Sequence, residues 1–505
     1  MPCTTLLVGK SASYDGSTII ARNEDSPDGE FTPKKLAVIH PDQQPRTYRS
    51  VLSHLELQLG ETPMRYTSVP NALDNEGVWA EAGVNERNVA MSATETLTTN
   101  ERVLAADPMV ELRPGKGTPG EADYVPEVPG GIGEEDMVTL VLPYATSARD
   151  GVRRLGALLE QHGTYEMNGI AFSDVDEIWW METVGGHHWI ARRVPDDCYV
   201  TMPNQLGIDA FDLADAEGAQ VECMASADLR AWMTEHHLDL TLRDEGEPAD
   251  VFNPREAFGS ASDADHVYNT PRAWAMQRLL NPRSNLWDGP DADLRPEDDD
   301  IPWCRTPERK ITMEDVKRAL SLHYQGTPFD PYGRAGSDAT RGHYRPIGIN
   351  RNGQLAAIQL RPYEGEATRA IQWMAFGSNP FNVLVPLFAN VDEMPEYLCN
   401  TTAQVSTESF YWANRLVAAL ADPHFNECCA HIERYQLHAG ASMQALANEA
   451  TRKARGMGYD EAAPELAQAN QRIAALLRTE TDALLDKVLF AASLGMRNSF
   501  GRSDG

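Results

Sequence analysis

Two groups of residues near the start of the chain have the types and spacing for acyl-transfer chemistry. Cys3 heads the run Cys3-Thr4-Thr5-Leu6-Leu7-Val8, and Arg22-Asn23-Glu24-Asp25 closes a second apolar run that begins at Thr18. A thiol attacks as its thiolate, and a guanidinium beside it lowers its pKa from about 8.5. A nucleophile at a chain terminus has a further option, because its own α-amine can serve as its base. A carboxylate such as Asp25 would hold the α-ammonium or orient the amine. The plain alternative is that Cys3 is a buried packing thiol, as free cysteines often are, and that residues 22–25 are a solvated strand end.

The elements that must position these groups are legible nearby. Residues 4–8 and 18–21 are apolar and rich in β-branched types, with the turn signal Asp15-Gly16 between them. They predict a hairpin that lays residues 22–25 beside Cys3. Further strands are expected at 31–40, 66–69 and 78–82. A second hairpin spans 83–92, and Glu95 stands where its return strand ends. Residues 113–133 are rich in Pro and Gly and predict a loop. Helix follows at 134–144 and 147–163, where Val152, Leu155, Leu158 and Leu159 recur at helical spacing.

Residues 171–182 and 188–193 predict two strands. His187 and His188 invite a metal or base role, but neighbours on a strand point to opposite faces and would not reach one site. A strand at 199–202 leads into Pro203-Asn204-Gln205, where Asn204 is by default a turn residue. Asn269-Thr270-Pro271-Arg272 opens a helix with proline in its first turn. Helix is expected again at 312–322, and strands at 356–360, 371–375 and 383–388. From 407 onward only helical periodicity remains, with Ile473, Leu477, Leu484 and Val488 on one stripe. Strands first and helices last predict an α+β fold of stacked antiparallel sheets covered by helices. The division is a main domain at 3–405 and a helical region at 406–505 packed on it.

The bulk properties narrow the function. A formal net charge of -31 over 505 residues excludes a nucleic-acid surface. No basic-then-apolar leader and no run of membrane-spanning length is visible, so no membrane partner is expected. Seven cysteines at irregular spacing suit reduced thiols and a cytoplasmic setting. Cys428-Cys429 lie near His424 and His431 but lack a second ligand pair at regular spacing, and the acidic run 288–300 does not match a calcium loop. Neither a metal nor another cofactor is expected.

Cys3 followed by Ala21-Arg22-Asn23-Glu24-Asp25 resembles the N-terminal-nucleophile (Ntn) hydrolases, most closely the dipeptidase A peptidases grouped with the secernins. The related penicillin V acylases and bile salt hydrolases carry a similar Arg-Asn-x-Asp after their cysteine. Blocks at 83–86, 184–189, 194–197, Pro203-Asn204-Gln205, 323–328 and 373–380 extend the resemblance over most of the chain and favour the peptidases over the acylases. The resemblance implies a four-layer αββα Ntn sandwich with a C-terminal helical appendage and Cys3 at the end of a central strand. It further implies that Cys3 is the nucleophile, tuned by Arg22 and Asp25, that Asn204 donates to the oxyanion, and that Arg272 stands beside the nucleophile on a helix. A further acylase Asn falls near Glu95, and no Asn stands there. A carboxylate at that place suits the α-ammonium of a dipeptide, which a penicillin lacks.

The expected activity is that of a cytoplasmic cysteine dipeptidase acting on small peptides. Two alternatives stay open: an amidase acting on N-acylated amino acids, and a secernin-like binding protein without hydrolysis. Homo-oligomer formation is left open too. Met1-Pro2 precede Cys3, so a terminal amine requires cleavage of the Pro2–Cys3 bond.

Overall fold

The computed structural model describes residues 3–27, 29–73, 76–243 and 250–496. Met1-Pro2 and residues 497–505 of the expected helical region lie outside the described residues. The hairpin forms as its sequence requires. Strands β1 (Cys3–Val8) and β2 (Thr18–Asp25) pair antiparallel, with Cys3 opposite Glu24, Thr5 opposite Arg22 and Val8 opposite Ile19. In the turn, Gly16 takes a φ of +84°, which costs glycine little, and Asp15 Oδ1 accepts the Ser17 N–H. Every residue of both strands is buried. The charged run 22–25 is therefore interior, which overturns the solvated-end alternative.

Further strands complete two main sheets. They are β3 (Ala82–Val84), β4 (Ala90–Thr96), β5 (Asn168–Ser173), β6 (Ile178–Thr183), β7 (Trp189–Arg193), β8 (Tyr199–Met202), β9 (Cys223–Ala225), β10 (Cys304–Arg305), β11 (Asn352–Leu360), β12 (Ala370–Phe376) and β13 (Val385–Phe388). A seven-stranded sheet runs β10-β8-β1-β2-β11-β12-β13 and a six-stranded sheet runs β9-β7-β6-β5-β4-β3. The two meet where β1 and β2 pack against β4 and where β2 packs against β5. Both members of the hairpin are thus central strands, and β1 begins at the sheet end where Cys3 sits.

The principal helices are α1 (Glu134–Val141), α2 (Ala148–His162), α3 (Thr270–Leu280), α4 (Met313–Ala319), α5 (Phe410–Ala421), α6 (Phe425–Ala454) and α7 (Tyr459–Leu494). Helix α2 lies on β5 and β6, where Val152, Leu155 and Leu159 join Ile170, Phe172 and Trp179 in one cluster. The close approach needs Gly151, since a Cβ there would meet the Phe172 ring. Helix α3 packs on β8, α5 on β12, and α6 and α7 on β13. The α7 stripe of Ile473, Leu477, Leu484 and Val488 is buried as its spacing predicts.

Residues 171–182 form two strands rather than one. Asp174 Oδ1 accepts the N–H groups of Asp176 and Glu177 and turns the chain between β5 and β6. Of residues 31–40 only Ala37–Ile39 is strand. The seven cysteines are free thiols. Among the described residues no metal-binding cluster occurs, and no helix is long and apolar enough to cross a membrane.

Candidate active site

The period of two sets which residues meet Cys3. Cys3 and Thr5 share one face of β1, and their partners Glu24 and Arg22 share the matching face of β2. This face meets the six-stranded sheet. Thr5 Oγ1 donates to Glu95 Oε2 at 2.8 Å. Arg22 donates through Nε to Ser92 Oγ at 3.0 Å, and through its terminal nitrogens to the carbonyls of Ala93 and Thr94 at 2.8 Å and to the Glu81 carboxylate at 2.7 Å. Its remaining donor points at Cys3 Sγ, 3.1 Å away. A guanidinium has five N–H donors in a rigid fork. All five are engaged here, so the fork is fixed with one prong on the sulfur.

Behind Arg22 runs a buried ionic chain. Glu81 Oε1 accepts from Lys34 Nζ at 2.7 Å, and Lys34 lies 3.9 Å from Glu24 Oε1. Glu81 has a φ of +60°, a left-handed conformation uncommon for a residue with a side chain. Burial works against the Glu81 carboxylate, but Lys34 and Arg22 hold it below the usual range. Burial pushes Glu24 up to about 8 against the pull of Lys34. It also pushes Glu95 up to about 8, with Arg272 the largest opposing influence. The Cys3 thiol is likewise driven well up by burial. Arg22 is the largest influence in the other direction, while Glu95 and Glu134 add to the rise. Proximity of Arg22 therefore does not make the resting thiol a thiolate.

A second set of groups holds the backbone of Cys3. Asn204, just past the end of β8, accepts the Cys3 N–H at 3.2 Å through Oδ1 and donates through Nδ2 to the Thr96 carbonyl at 2.9 Å. Arg272, in the first turn of α3, donates to Asn204 Oδ1 at 2.8 Å, to Asn269 Oδ1 at 2.7 Å, to Thr4 Oγ1 at 2.7 Å and to the Cys3 carbonyl. Burial, then the neighbouring Arg345, draws Arg272 down to about 10.

Cys3, Arg22, Asn204 and Arg272 thus converge on one residue, and Glu95 joins them through Thr5. Asp25 is placed differently. Its carboxylate accepts from Arg345 and, at 2.5 Å, from Asn352 Nδ2, so its hydrogen bonds go to these two rather than to Cys3. Sequence reasoning passed over Glu81, Lys34, Asn269 and Arg345. Asn269 lay inside a motif read only as a helix start, and a Glu between Ala80 and Ala82 is a charge in an apolar stretch. Lys34 and Arg345 carry no such signal.

His187 and His188 do reach one group. Their Nδ1 atoms lie 3.0 and 2.6 Å from the Asp107 carboxylate. They belong to the turn before β7, where strand alternation does not apply. Trp232 stacks on His188 with ring centroids 3.9 Å apart.

This arrangement can hold a neutral thiol, stabilise it once deprotonated, and fix the nitrogen of the same residue within the site. Residues 2–438 match the family described as Peptidase family C69. The chain is 58% identical to a dipeptidase of Bifidobacterium longum over all of both chains. It is 52% identical to a probable dipeptidase A of Streptococcus pyogenes serotype M3, again over all of both. It is 41% identical to dipeptidase A of Lactobacillus helveticus over 96% of each.

Proposed function

The chain belongs to peptidase family C69 and is a peptidase, and from that premise we propose that it hydrolyses dipeptides through Cys3 by an Ntn mechanism. The observation that carries this reading is the Arg22 prong 3.1 Å from Cys3 Sγ, in a site that also binds the Cys3 nitrogen through Asn204. With Pro2–Cys3 cleaved, autocatalytically in this reading, that nitrogen becomes an α-amine. Its ordinary pKa of about 7.7–8.0 leaves it a competent base near neutral pH. It takes the thiol proton as sulfur attacks the peptide carbonyl, and Arg22 stabilises the thiolate. The amide nitrogen of Asn204 has two N–H donors. One is spent on Thr96 and the other is left for the tetrahedral oxyanion, together with backbone N–H groups. Collapse expels the C-terminal amino acid, which takes the proton from the ammonium. Water then releases the N-terminal amino acid from the acyl-enzyme.

Glu95 is the recognition group for the substrate α-ammonium. Its Oε2 is held by Thr5, while its buried Oε1 has no hydrogen-bond partner among the described residues. Arg272 and Asp25 position the site, Arg272 on the Cys3 backbone and Asp25 through Arg345 and Asn352. The two sheets packed face to face, with helices on β5, β6 and β8 and on β12 and β13, support the four-layer αββα arrangement over 3–405, with 406–505 as the helical region. Free thiols support a cytoplasmic setting, and the acidic net charge speaks against nucleic acid.

The test measures dipeptide hydrolysis and intact mass together. Cys3→Ala and Cys3→Ser are expected to lose at least about 10³-fold in kcat, the scale of losing a catalytic nucleophile. Parent-like turnover by either variant overturns the proposal. A mass lacking Met1-Pro2 is expected, and a mass retaining Pro2 removes the terminal base. An N-acetylated dipeptide hydrolysed as fast as the free one would replace the dipeptidase reading with the amidase one.

A further inference from the structure

A cavity of about 670 Å³ whose lining does not include Cys3 lies between α4, β12 and the stretch of α6 from Phe425 to Gln444. It falls within the roughly 300–1,000 Å³ typical of sites that bury a small molecule. Its apolar wall includes Met313, Trp373, Val383, Leu384, Phe425 and Ile432. Into this wall α4 sets a single amine, Lys317. Its Nζ donates to Ser321 Oγ at 2.8 Å and to the Asn379 carbonyl at 2.6 Å. An ammonium has three donors, so one is left for an occupant of the cavity.

Lys317 is half-buried where Lys34 is fully buried, and its partners differ in kind. Lys34 is paired with Glu81. Burial alone acts on the charge of Lys317 and draws it down to about 7, with no carboxylate paired to it among the described residues. The other charged groups of the cavity are occupied or outward. His323 is paired with Asp330 at 2.9 Å, and Glu314, Arg318 and Glu433 are exposed. An uncompensated cation in an apolar wall is costly and is satisfied by an anion that brings its own apolar body.

We propose that this cavity is a binding site for an amphipathic carboxylate, whose carboxylate pairs with Lys317 and whose apolar body lies against Trp373, Val383 and Ile432. The site is separate from the peptidase chemistry and does not depend on it. Pairing with an anion favours the charged amine, so in neutral solution binding is accompanied by proton uptake at Lys317.

Calorimetric titration of the full chain with sodium octanoate, octan-1-ol and octylamine tests this. Octanoate is expected to bind once per chain and at least tenfold more tightly than either other compound, with a heat that varies with the ionisation enthalpy of the buffer. Lys317→Met should erase the preference for the carboxylate and the buffer dependence. A Cβ at Gly440 would meet only Val383 Cγ2, at 3.9 Å, so Gly440→Leu has room to enter the cavity. That variant should abolish binding while hydrolysing dipeptides like the parent. No saturable octanoate binding by the parent overturns the proposal, as does unchanged preference in Lys317→Met. The second result decides the matter even if Gly440→Leu does not fold.

Discussion

Two arginines flank Cys3, both fully buried, and their surroundings are opposite in kind. Arg22 faces the six-stranded sheet and touches a carboxylate, Glu81, which Lys34 also grips. Burial disfavours its charge, yet Cys3 once it is a thiolate, and Glu81 throughout, outweigh that and hold it firmly protonated. Arg272 projects from the first turn of α3 and is held by neutral acceptors, the oxygens of Asn204, Asn269, Thr4, Tyr268 and Cys3. With Arg345 nearby, its charge is the less supported of the two. The difference separates two tasks. In the proposed mechanism Arg22 acts on the sulfur, and its own charge is balanced by Glu81. Arg272 holds the backbone of Cys3, so in the same mechanism its hydrogen-bond geometry matters more than its charge.

The strongest way to break this contrast is at the sulfur. Arg22→Met should lower kcat/KM by about 10²–10³-fold, the scale of losing a preorganised charge stabiliser. It should also move the pH profile of iodoacetamide alkylation at Cys3 to higher pH, because the remaining burial, Glu95 and Glu134 all push the thiol up. An unmoved alkylation profile would show that Arg22 does not act on the thiolate. At Arg272 the informative change keeps the charge. Arg272→Lys cannot span Asn204, Asn269, Thr4 and the Cys3 carbonyl at once. A loss of about 10–100-fold in kcat with little movement of the alkylation profile is expected, the cost of a misplaced group. A parent-like kcat would mean that charge alone suffices there.

The ionic chain behind Arg22 offers a smaller effect, read as stability. Lys34→Met leaves Glu81 with Arg22 alone and takes away the cation that faces Glu24, and breaking a buried pair in this way costs about 3–5 kcal/mol. Denaturant unfolding should show this loss. The double variant Lys34→Met/Glu24→Gln should recover part of it, since Lys34 faces Glu24 directly at 3.9 Å. Strict additivity would dissolve the chain into independent pairs.

What the sequence disclosed divides along the same line. Cys3, Arg22, Asn204 and Arg272 stand in local patterns, a strand head, a strand end, a Pro-Asn turn and a helix start, and local patterns survive in a linear text. The hairpin register followed from a single turn. Lys34, Glu81 and Arg345 come from separate segments, and only tertiary packing brings Glu81 to Arg22, Lys34 to Glu81 and Arg345 to Asp25. No spacing encodes that. The division between β5 and β6 was hidden for another reason. Asp174 turns the chain with its own side chain, inside a stretch whose apolar residues run on without a break. His187 and His188 were misread because alternation was applied one residue too early.

Glu95 provides the mildest test and the sharpest sign. Its folded pKa of about 8 stands above the ordinary 4.5 because burial disfavours the carboxylate. Between those values the folded protein holds a proton that the unfolded chain releases. The stability contributed by Glu95 is therefore full below pH 4.5 and is lost as pH rises toward 8. Glu95→Gln mimics the protonated form. Its melting temperature should equal the parent's at about pH 4, below the unfolded value, and exceed it by a few degrees at about pH 8. Activity should move the other way. A substrate α-ammonium draws the proton off Glu95, so the parent's KM for a dipeptide should fall as pH rises from 6 to 8, up to the point where the substrate amine itself deprotonates. Glu95→Gln should keep a high KM throughout that range. A variant with the stability shift and a parent-like KM would leave Glu95 a strained carboxylate beside Thr5 and no part of substrate recognition.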